Sequence, residues 1–178
     1  MRTIYLAIIL LMFLVSGCNK DKASPNSGTI TIDNALTGSG PYYAFGFSVK
    51  TGTKVSTLES PLDVITILED NDVDMVVKKL FFSCENYNNS FSNYASYTDA
   101  TTARTAFDNL KTFTDTTWTA TGDSVVPNQI WLFRTSDLKY AKIRVISIFS
   151  EIRAAMPYPY AECTFEWVYQ PDGTKIFP

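Results

Sequence analysis

The sequence predicts a mainly β fold: an antiparallel β-sandwich or barrel-like domain with one covering α-helix. Three observations lead to this prediction. Most apolar side chains alternate with polar ones at a period of two residues, which is typical of half-buried strands. Short clusters rich in Gly, Pro, Asp and Ser separate these stretches, as turns do. A single segment, residues 100–113, instead has its apolar side chains at helical spacing.

The first half of the domain contains several strand patterns. Residues 29–32 alternate between Thr and Ile. Residues 42–58 have the pattern of a β-hairpin, in which one face is apolar and consists of Tyr43, Phe45, Phe47 and Val49. Further strands are predicted at residues 64–68 and 76–82. Residues 83–98 are rich in Asn, Ser and Tyr, and we expect them to form a long loop.

The second half begins with the predicted helix and continues with three strands. Thr98 or Asp99 is placed to cap the helix at residues 100–113. Strands are predicted at residues 129–134 and 140–148, joined by a turn. In the second of these, Lys142 and Arg144 lie on one side, and apolar residues lie on the other. The last strand has a row of large side chains at alternate positions: Cys163, Phe165, Trp167 and Tyr169.

The amino terminus has the pattern of a secretory signal. Its apolar stretch, residues 4–15, is shorter than the about 20 residues that a membrane-spanning helix needs. The stretch ends in "LVSGC", which resembles the bacterial lipobox and so implies cleavage before Cys18 and acylation of its sulfur. We therefore predict a signal peptide at residues 1–17, lipidated Cys18 with a flexible tether at residues 18–28, and a single β-rich domain at residues 29–178. An ordinary cleaved signal is the alternative.

Lipidation would hold the protein at a membrane, because several acyl chains on one cysteine bury many methylene groups. The charged residues 20–22 resemble the signals that export lipoproteins of Bacteroidetes-type bacteria to the outer face of the outer membrane. The predicted location is therefore the outer membrane, lipid-anchored, at the cell surface.

Two stretches of the second half resemble a known family. Residues 130–147, "IWLFRTSDLKYAKIRVIS", and the following "CTFEWVYQPDG" resemble the C-terminal half of the HmuY-like lipoproteins. That pattern is a strand, a T-x-D-G-K-Y-A-K-type hairpin, an aliphatic strand and an aromatic strand, and Leu138 stands where Gly is usual. The resemblance implies a β-rich, surface-exposed protein that binds haem or another porphyrin.

Composition argues against several classes of function. The formal net charge is −3 and no basic run occurs, so we expect no nucleic-acid partner. The chain contains no histidine, which rules out Ser-His-Asp and Cys-His catalytic arrangements and imidazole-ligated zinc. No pair of carboxylates is singled out by its spacing. We therefore predict a protein that is not an enzyme and has no dedicated metal site.

Without histidine, a haem iron needs another ligand. Members of the resembled family that use Met point to Met75 and Met156, since a thioether is an acceptable axial ligand. Met156 is the better candidate, because it is predicted to lie in a loop beside Tyr158 and Tyr160, whose rings could stack on a porphyrin. The alternative is that Met75 belongs to the core and Met156 packs on the surface.

A second aromatic segment, residues 86–97, interleaves Tyr87, Tyr94 and Tyr97 with amides and hydroxyls. Tyrosine rings stack on sugars or planar ligands, and Asn side chains bond to hydroxyls. If this segment and the loop around Met156 met at one end of the sandwich, they would form a binding pocket. The alternative is that these rings pack on the scaffold.

Cys84 and Cys163 either form a disulfide in an oxidising compartment or remain two buried thiols; the sequence leaves both open.

Three functions also remain open. The first is a ligand-binding surface lipoprotein for haem or a porphyrin, with a TonB-dependent receptor as partner. The second is a glycan- or protein-binding accessory lipoprotein. The third is an envelope structural protein without a small ligand.

Overall fold

The computed structural model describes residues 26–37, 43–58, 62–85, 89–154 and 156–178. In chain order the elements are β1 (Ser27–Asp33), β2 (Leu36–Thr37), β3 (Tyr43–Ser48), β4 (Thr53–Ser56), β5 (Val64–Asn71), β6 (Val77–Ser83), β7 (Phe91–Ser96), α1 (Ala100–Asn109), β8 (Gln129–Arg134), β9 (Tyr140–Glu151) and β10 (Tyr160–Gln170). The predicted signal peptide, Cys18 and most of the tether lie outside the described residues.

Two antiparallel sheets form the fold. Sheet 1 has the strand order β1-β10-β9-β8-β7; sheet 2 has the order β2-β3-β5-β6, with β4 paired to β3. They pack face to face as a sandwich and do not close into a barrel, while α1 lies against the outer face of sheet 1. The predicted fold class, a mainly β sandwich with one covering helix, is confirmed.

Several sequence predictions need correction. The predicted loop at residues 83–98 contains β7, whose residues pair with β8 from Phe91↔Phe133 to Ser96↔Gln129. Its polar composition suggested a loop, but a register shift between Asn93 and Ala95 disturbs the alternation that would have indicated a strand. The helix ends at Asn109, four residues earlier than predicted. Ser27 and Gly28, assigned to the tether, belong to β1.

The β3–β4 hairpin is confirmed, but its apolar face is not uniform. Phe47 and Val49 are fully buried, whereas Phe45 is 41% exposed. The reason is that β3 pairs with β5 only at Phe47 and Ser48, so Phe45 lies where the two strands have separated. The side chain of Tyr43 lies outside the described residues.

The space between the sheets holds the main core, which is rich in aromatic rings. Phe82 contacts three of them: it stacks on Phe91 with a centroid distance of 5.9 Å, and it meets Trp131 and Phe165 edge-on at 6.0 and 5.8 Å. Phe47 packs against Trp167 at 4.9 Å. Such pairs add about 0.5–1.5 kcal/mol beyond their burial.

The outer face of sheet 1 carries a second apolar cluster beneath α1 and the C-terminal tail. Its buried members are Phe107, Leu110, Phe113, Ile130, Leu132 and Phe177. Asp99 caps the start of the helix, because its carboxylate accepts the Thr102 N–H at 2.8 Å. Sheet 1 is therefore buried on both faces where α1 covers it.

Charged side chains attach α1 to sheet 1. Lys142 is 2% exposed, and its ammonium donates to the carbonyl oxygens of Phe107 at 2.6 Å and Leu110 at 2.9 Å, both at the end of the helix. Glu166 accepts from Arg144 beside it and from Arg104 of the helix at 2.8 Å. Lys142 and Arg144 share one side of β9, as predicted, and this side faces the helix.

An extended stretch after the helix, the bridging segment (residues 117–126), connects the edges of the two sheets. Thr119 exchanges two main-chain hydrogen bonds with Phe91 of β7, and Gly122 exchanges two with Phe82 of β6. The Val125 N–H then donates to the Leu80 carbonyl at 2.8 Å. These bonds close one long side of the sandwich.

A substitution at Gly46 tests how closely β3 and β5 approach each other. A Cβ atom at this position would lie 2.6 Å from the main-chain oxygen of Ile65 and against Val64. We expect Gly46→Ala to lower the free energy of unfolding by about 1–3 kcal/mol, because the backbone must shift to relieve the overlap. Urea denaturation measures it. Gly28→Ala is the matched control, since its Cβ would meet only Trp167 at 3.4 Å; equal effects of the two substitutions would contradict the predicted close approach.

The buried ammonium of Lys142 predicts how the free energy of unfolding changes with pH. Burial lowers the pKa of its ammonium to about 8, whereas the unfolded chain keeps a value of 10.5. Between these two values the unfolded state binds more protons, so the contribution of Lys142 to stability rises with pH. We expect the free energy of unfolding of the wild type, relative to Lys142→Met, to increase by about 1 kcal/mol between pH 8 and 9.5. A difference that stays constant across this range would contradict the prediction.

Candidate functional site

The loop between β9 and β10 and the first residue of β10 carry three of the predicted ligand-binding residues, and most of their groups already have partners. Tyr160 is 7% exposed; its hydroxyl donates to Glu162 at 2.7 Å, and the Arg153 guanidinium lies 3.3 Å from the centre of its ring. Burial raises the pKa of Tyr160 to about 12. The Tyr158 hydroxyl accepts the Leu36 N–H at 3.0 Å. Met156 is half-buried and ends a turn from Arg153.

The depressions beside this loop are small. One, of about 160 Å³, lies between Tyr158 and the separated ends of β3 and β5. Another, of about 130 Å³, lies between Met75, the end of β9 and Pro159. Pockets that bury a drug-sized ligand usually measure about 300–1,000 Å³. Neither of these two depressions has the volume that a porphyrin-sized ligand needs, and Arg153 covers the ring of Tyr160.

The second predicted aromatic segment lies elsewhere. Asn89 and Ser90, before β7, bond through their carbonyl oxygens to Arg134, beside the β8–β9 turn. The loop with Met156 joins β9 and β10 at the opposite end, and the 12 residues of β9 span about 40 Å. Asn89 and Ser90 therefore lie at the end of sheet 1 opposite this loop. The strand that follows them, β7, is separated from β10 by β8 and β9, so it does not adjoin the loop.

The individual tyrosines of that segment have different environments. Tyr94 is 46% exposed at the register shift of β7, and Tyr97 packs against the cluster beneath α1. Tyr97 therefore fits the alternative that these rings pack on the scaffold. Tyr87 lies outside the described residues.

A larger and more polar depression lies along β7 and the bridging segment. This hydroxyl groove has a volume of about 670 Å³, and its lining consists of Ser92, Asn93, Thr116, Thr117, Thr119, Thr121, Asp123 and Trp131. Its volume falls in the usual range for ligand sites. Five of the eight lining side chains carry a hydroxyl, which can both donate and accept a hydrogen bond.

Hydrogen bonds hold the walls of the hydroxyl groove in place. The Ser92 and Thr116 hydroxyls are 2.8 Å apart, and the Thr119 hydroxyl donates to the Thr121 carbonyl at 2.7 Å. The indole N–H of Trp131 donates to Gln129 at 2.9 Å, which fixes the ring beneath the groove. Asn93 and Asp123 are exposed and add an amide and a carboxylate.

Sequence patterns do not indicate this groove, because its residues come from distant parts of the chain. One signal was present: Thr117, Thr119 and Thr121 occupy alternate positions, which places their side chains on the same side of an extended segment. The prediction of a loop at residues 83–98 includes no strand there. It therefore gives no reason to expect β7 alongside these threonines.

The two cysteines of the predicted domain are free thiols, so the disulfide considered for Cys84 and Cys163 is not formed. Both pack in or against the main core. Burial raises the pKa of the Cys84 thiol to about 11 and that of Cys163 to about 12, so neither is a thiolate at neutral pH.

Across the described ranges, no group of three or more His, Cys, Asp and Glu side chains is placed to hold a metal ion. No helix in the same ranges is long and apolar enough to cross a membrane.

The chain matches no known family model, and comparison with curated proteins finds no match. The resemblance of residues 130–147 to the HmuY-like lipoproteins therefore stays a prediction from the sequence.

Haem binding can be tested directly on the soluble chain, residues 19–178. Because the depressions beside Met156 are small, we expect titration with micromolar haemin to give no Soret shift that depends on this residue. Absorption spectra of the wild type and of Met156→Ala should coincide, with Met75→Leu as the control for the other methionine. A saturable Soret shift that only Met156→Ala abolishes would contradict this expectation and support the haem hypothesis.

Proposed function

We propose that this protein is a lipid-anchored lipoprotein of the outer-membrane surface that binds a polyhydroxylated ligand, a glycan, in the hydroxyl groove. Two observations support the proposal. The sequence "LVSGC" before a polar segment has the pattern of a lipidated amino terminus. The hydroxyl groove offers a volume and a lining suited to sugars.

The lining of the groove is the observation that carries the choice of ligand. A sugar presents many hydroxyls, each of which needs both donors and acceptors around it. The Ser and Thr hydroxyls supply both, the Asn93 amide supplies both, and Asp123 supplies acceptors. A flat apolar ligand could not use the remaining hydrogen-bonding capacity of these groups, and any of them that it buried without a partner would cost about 1–3 kcal/mol.

The position of the groove also favours binding. One wall is β7, and the other is the bridging segment, which Thr119 and Gly122 fasten to the two sheets through paired main-chain hydrogen bonds. Walls that are fixed before binding lose little conformational entropy when the ligand arrives. In this proposal a TonB-dependent receptor in the same membrane is the partner that takes up the captured ligand.

The proposal predicts glycan binding that depends on the hydroxyl groove. On a glycan array, residues 19–178 should bind a defined subset of oligosaccharides, and calorimetry with one of these should give a measurable affinity. We expect Asn93→Ala and Asp123→Ala each to weaken that affinity about tenfold, the effect of losing about 1.4 kcal/mol of hydrogen bonding.

Thr101→Ala is the control, because Thr101 is exposed on α1 and away from the groove. It should bind as the wild type does. Absence of binding across the array, or binding that both groove substitutions leave unchanged, would contradict the proposal. The haem-binding lipoprotein and the envelope structural protein would then remain as hypotheses.

A further inference from the structure

The last part of β9 has an open edge. β8 pairs with β9 only from Arg134↔Tyr140 to Ile130↔Arg144, and the final main-chain bond on this side joins the Asn128 N–H to the Val145 carbonyl at 2.9 Å. β9 continues to Glu151 and pairs with β10 alone. In the part of the chain that the structure describes, residues 146–151 therefore have a neighbouring strand on one side only.

The hydrogen-bonding groups of this edge point outward. The N–H and the C=O of Ala161, in β10, both bond to Asn34 on the β1 side, at 2.9 and 3.1 Å. Ser150 lies directly opposite Ala161 in β9. Since Ala161 directs both groups away from β9, this is a non-hydrogen-bonded pair, and the N–H and C=O of Ser150 point to the open side. Those of Ile148, two residues earlier, point the same way.

A groove runs along this open edge. It has a volume of about 450 Å³ and is lined by residues 77–80 of β6, residues 124–127, Ile148 and Ser150. The depression of about 130 Å³ near Met75 adjoins it, because Val77 and Ser150 line both. An apolar floor thus lies beside unpaired main-chain groups, which is the combination that binds an extended peptide as an added strand.

Natural sheets usually protect an open edge with charges or prolines. Residues 146–150, "ISIFS", contain neither, so that Glu151 at its end is the one charged residue of the open stretch, and Ile146 and Phe149 are 36% and 47% exposed. A β-bulge can also protect an edge, and β10 has a register shift between Thr164 and Phe165. This shift lies opposite the start of the stretch and does not reach Ile148 and Ser150. The edge is therefore open along the part that lines the groove.

The charges of the groove indicate the chemistry of the occupant. Lys78 and Lys79 are the only charged residues in its lining, although the whole chain has a net charge of −3. Lys78 also pairs with Asp72 at 2.7 Å, whereas Lys79 is exposed on the strand, directly opposite Asp70 of β5 in the register of sheet 2. A second copy of this chain in a two-fold contact would bring the same two lysines to the interface, and like charges oppose that arrangement.

We propose that the open edge of β9 and the adjoining end of β6 bind an extended peptide segment of another protein, one that carries an acidic side chain. The peptide pairs with Ile148 and Ser150 through its backbone, places alternate apolar side chains on the floor, and directs its carboxylate toward Lys79. This site is separate from the hydroxyl groove and does not depend on the proposed glycan binding.

Selection from a phage-displayed library of random seven-residue peptides tests the proposal without assuming a partner. We expect soluble residues 19–178 to enrich sequences with alternating apolar residues and at least one Asp or Glu. In amide hydrogen exchange, the synthetic selected peptide should protect Ile148 and Ser150. No enrichment, or enriched peptides that leave both amides unprotected, would overturn the proposal.

Two substitutions at one position isolate the backbone contact. Ser150→Pro removes the outward N–H at an edge where proline is tolerated, and we expect it to weaken peptide binding at least about tenfold. Ser150→Ala keeps the N–H and should bind as the wild type does. Equal binding by the two variants would overturn the proposal.

A further variant and a measurement of mass cover the remaining outcomes. Should Ser150→Pro fail to fold, Lys79→Glu serves instead: it lies on the surface, and we expect it to weaken binding of the acidic peptide about tenfold. Light scattering should show a monomer. A wild-type dimer that Lys79→Glu or Ser150→Pro dissociates would identify a second copy as the occupant and overturn the proposed partner.

Discussion

The burial of sheet 1 on both faces is the constraint on which the rest of the structure depends. The main core covers one face, and α1 with the C-terminal tail covers the other. Strands buried in this way must bury their polar residues too, and such residues need partners. Lys142 finds them in two helix carbonyl oxygens, and Glu166 finds them in Arg144 and Arg104. The contacts that satisfy these buried charged side chains beneath α1 also hold the helix against sheet 1.

This arrangement leaves the faces of sheet 1 occupied and moves candidate binding surfaces to places where strand pairing changes. The hydroxyl groove lies where the bridging segment joins β7, the last strand of sheet 1. The groove along the open edge of β9 lies beyond the start of β8, where β9 continues with β10 as its one neighbouring strand among the described residues. Both sites combine a rigid sheet with main-chain or hydroxyl groups that have capacity for further hydrogen bonds. They lie on elements whose positions the core fixes.

Sequence patterns predicted the elements whose alternation is regular. β8 was predicted at its exact bounds, and the two faces of β9 were assigned correctly, because one face contacts the main core and the other contacts α1. β7 was missed because its polar residues are interrupted by a register shift. The site could not be predicted, since the threonines of the bridging segment meet β7 only after folding. The segments around Tyr94 and Tyr158 have similar aromatic compositions, but this similarity did not indicate that they lie close together in the fold.

The proposed function depends on the predicted acylation of Cys18, because a surface-binding module requires an anchor and the sequence "LVSGC" is the indication of one. Intact-mass and peptide mass spectrometry of the native protein, extracted from its own membranes, tests this most directly. The account predicts a mature chain that begins at Cys18 and carries acyl chains on that residue. A chain that retains residues 1–17, or one that begins near Cys18 without lipid, would contradict it.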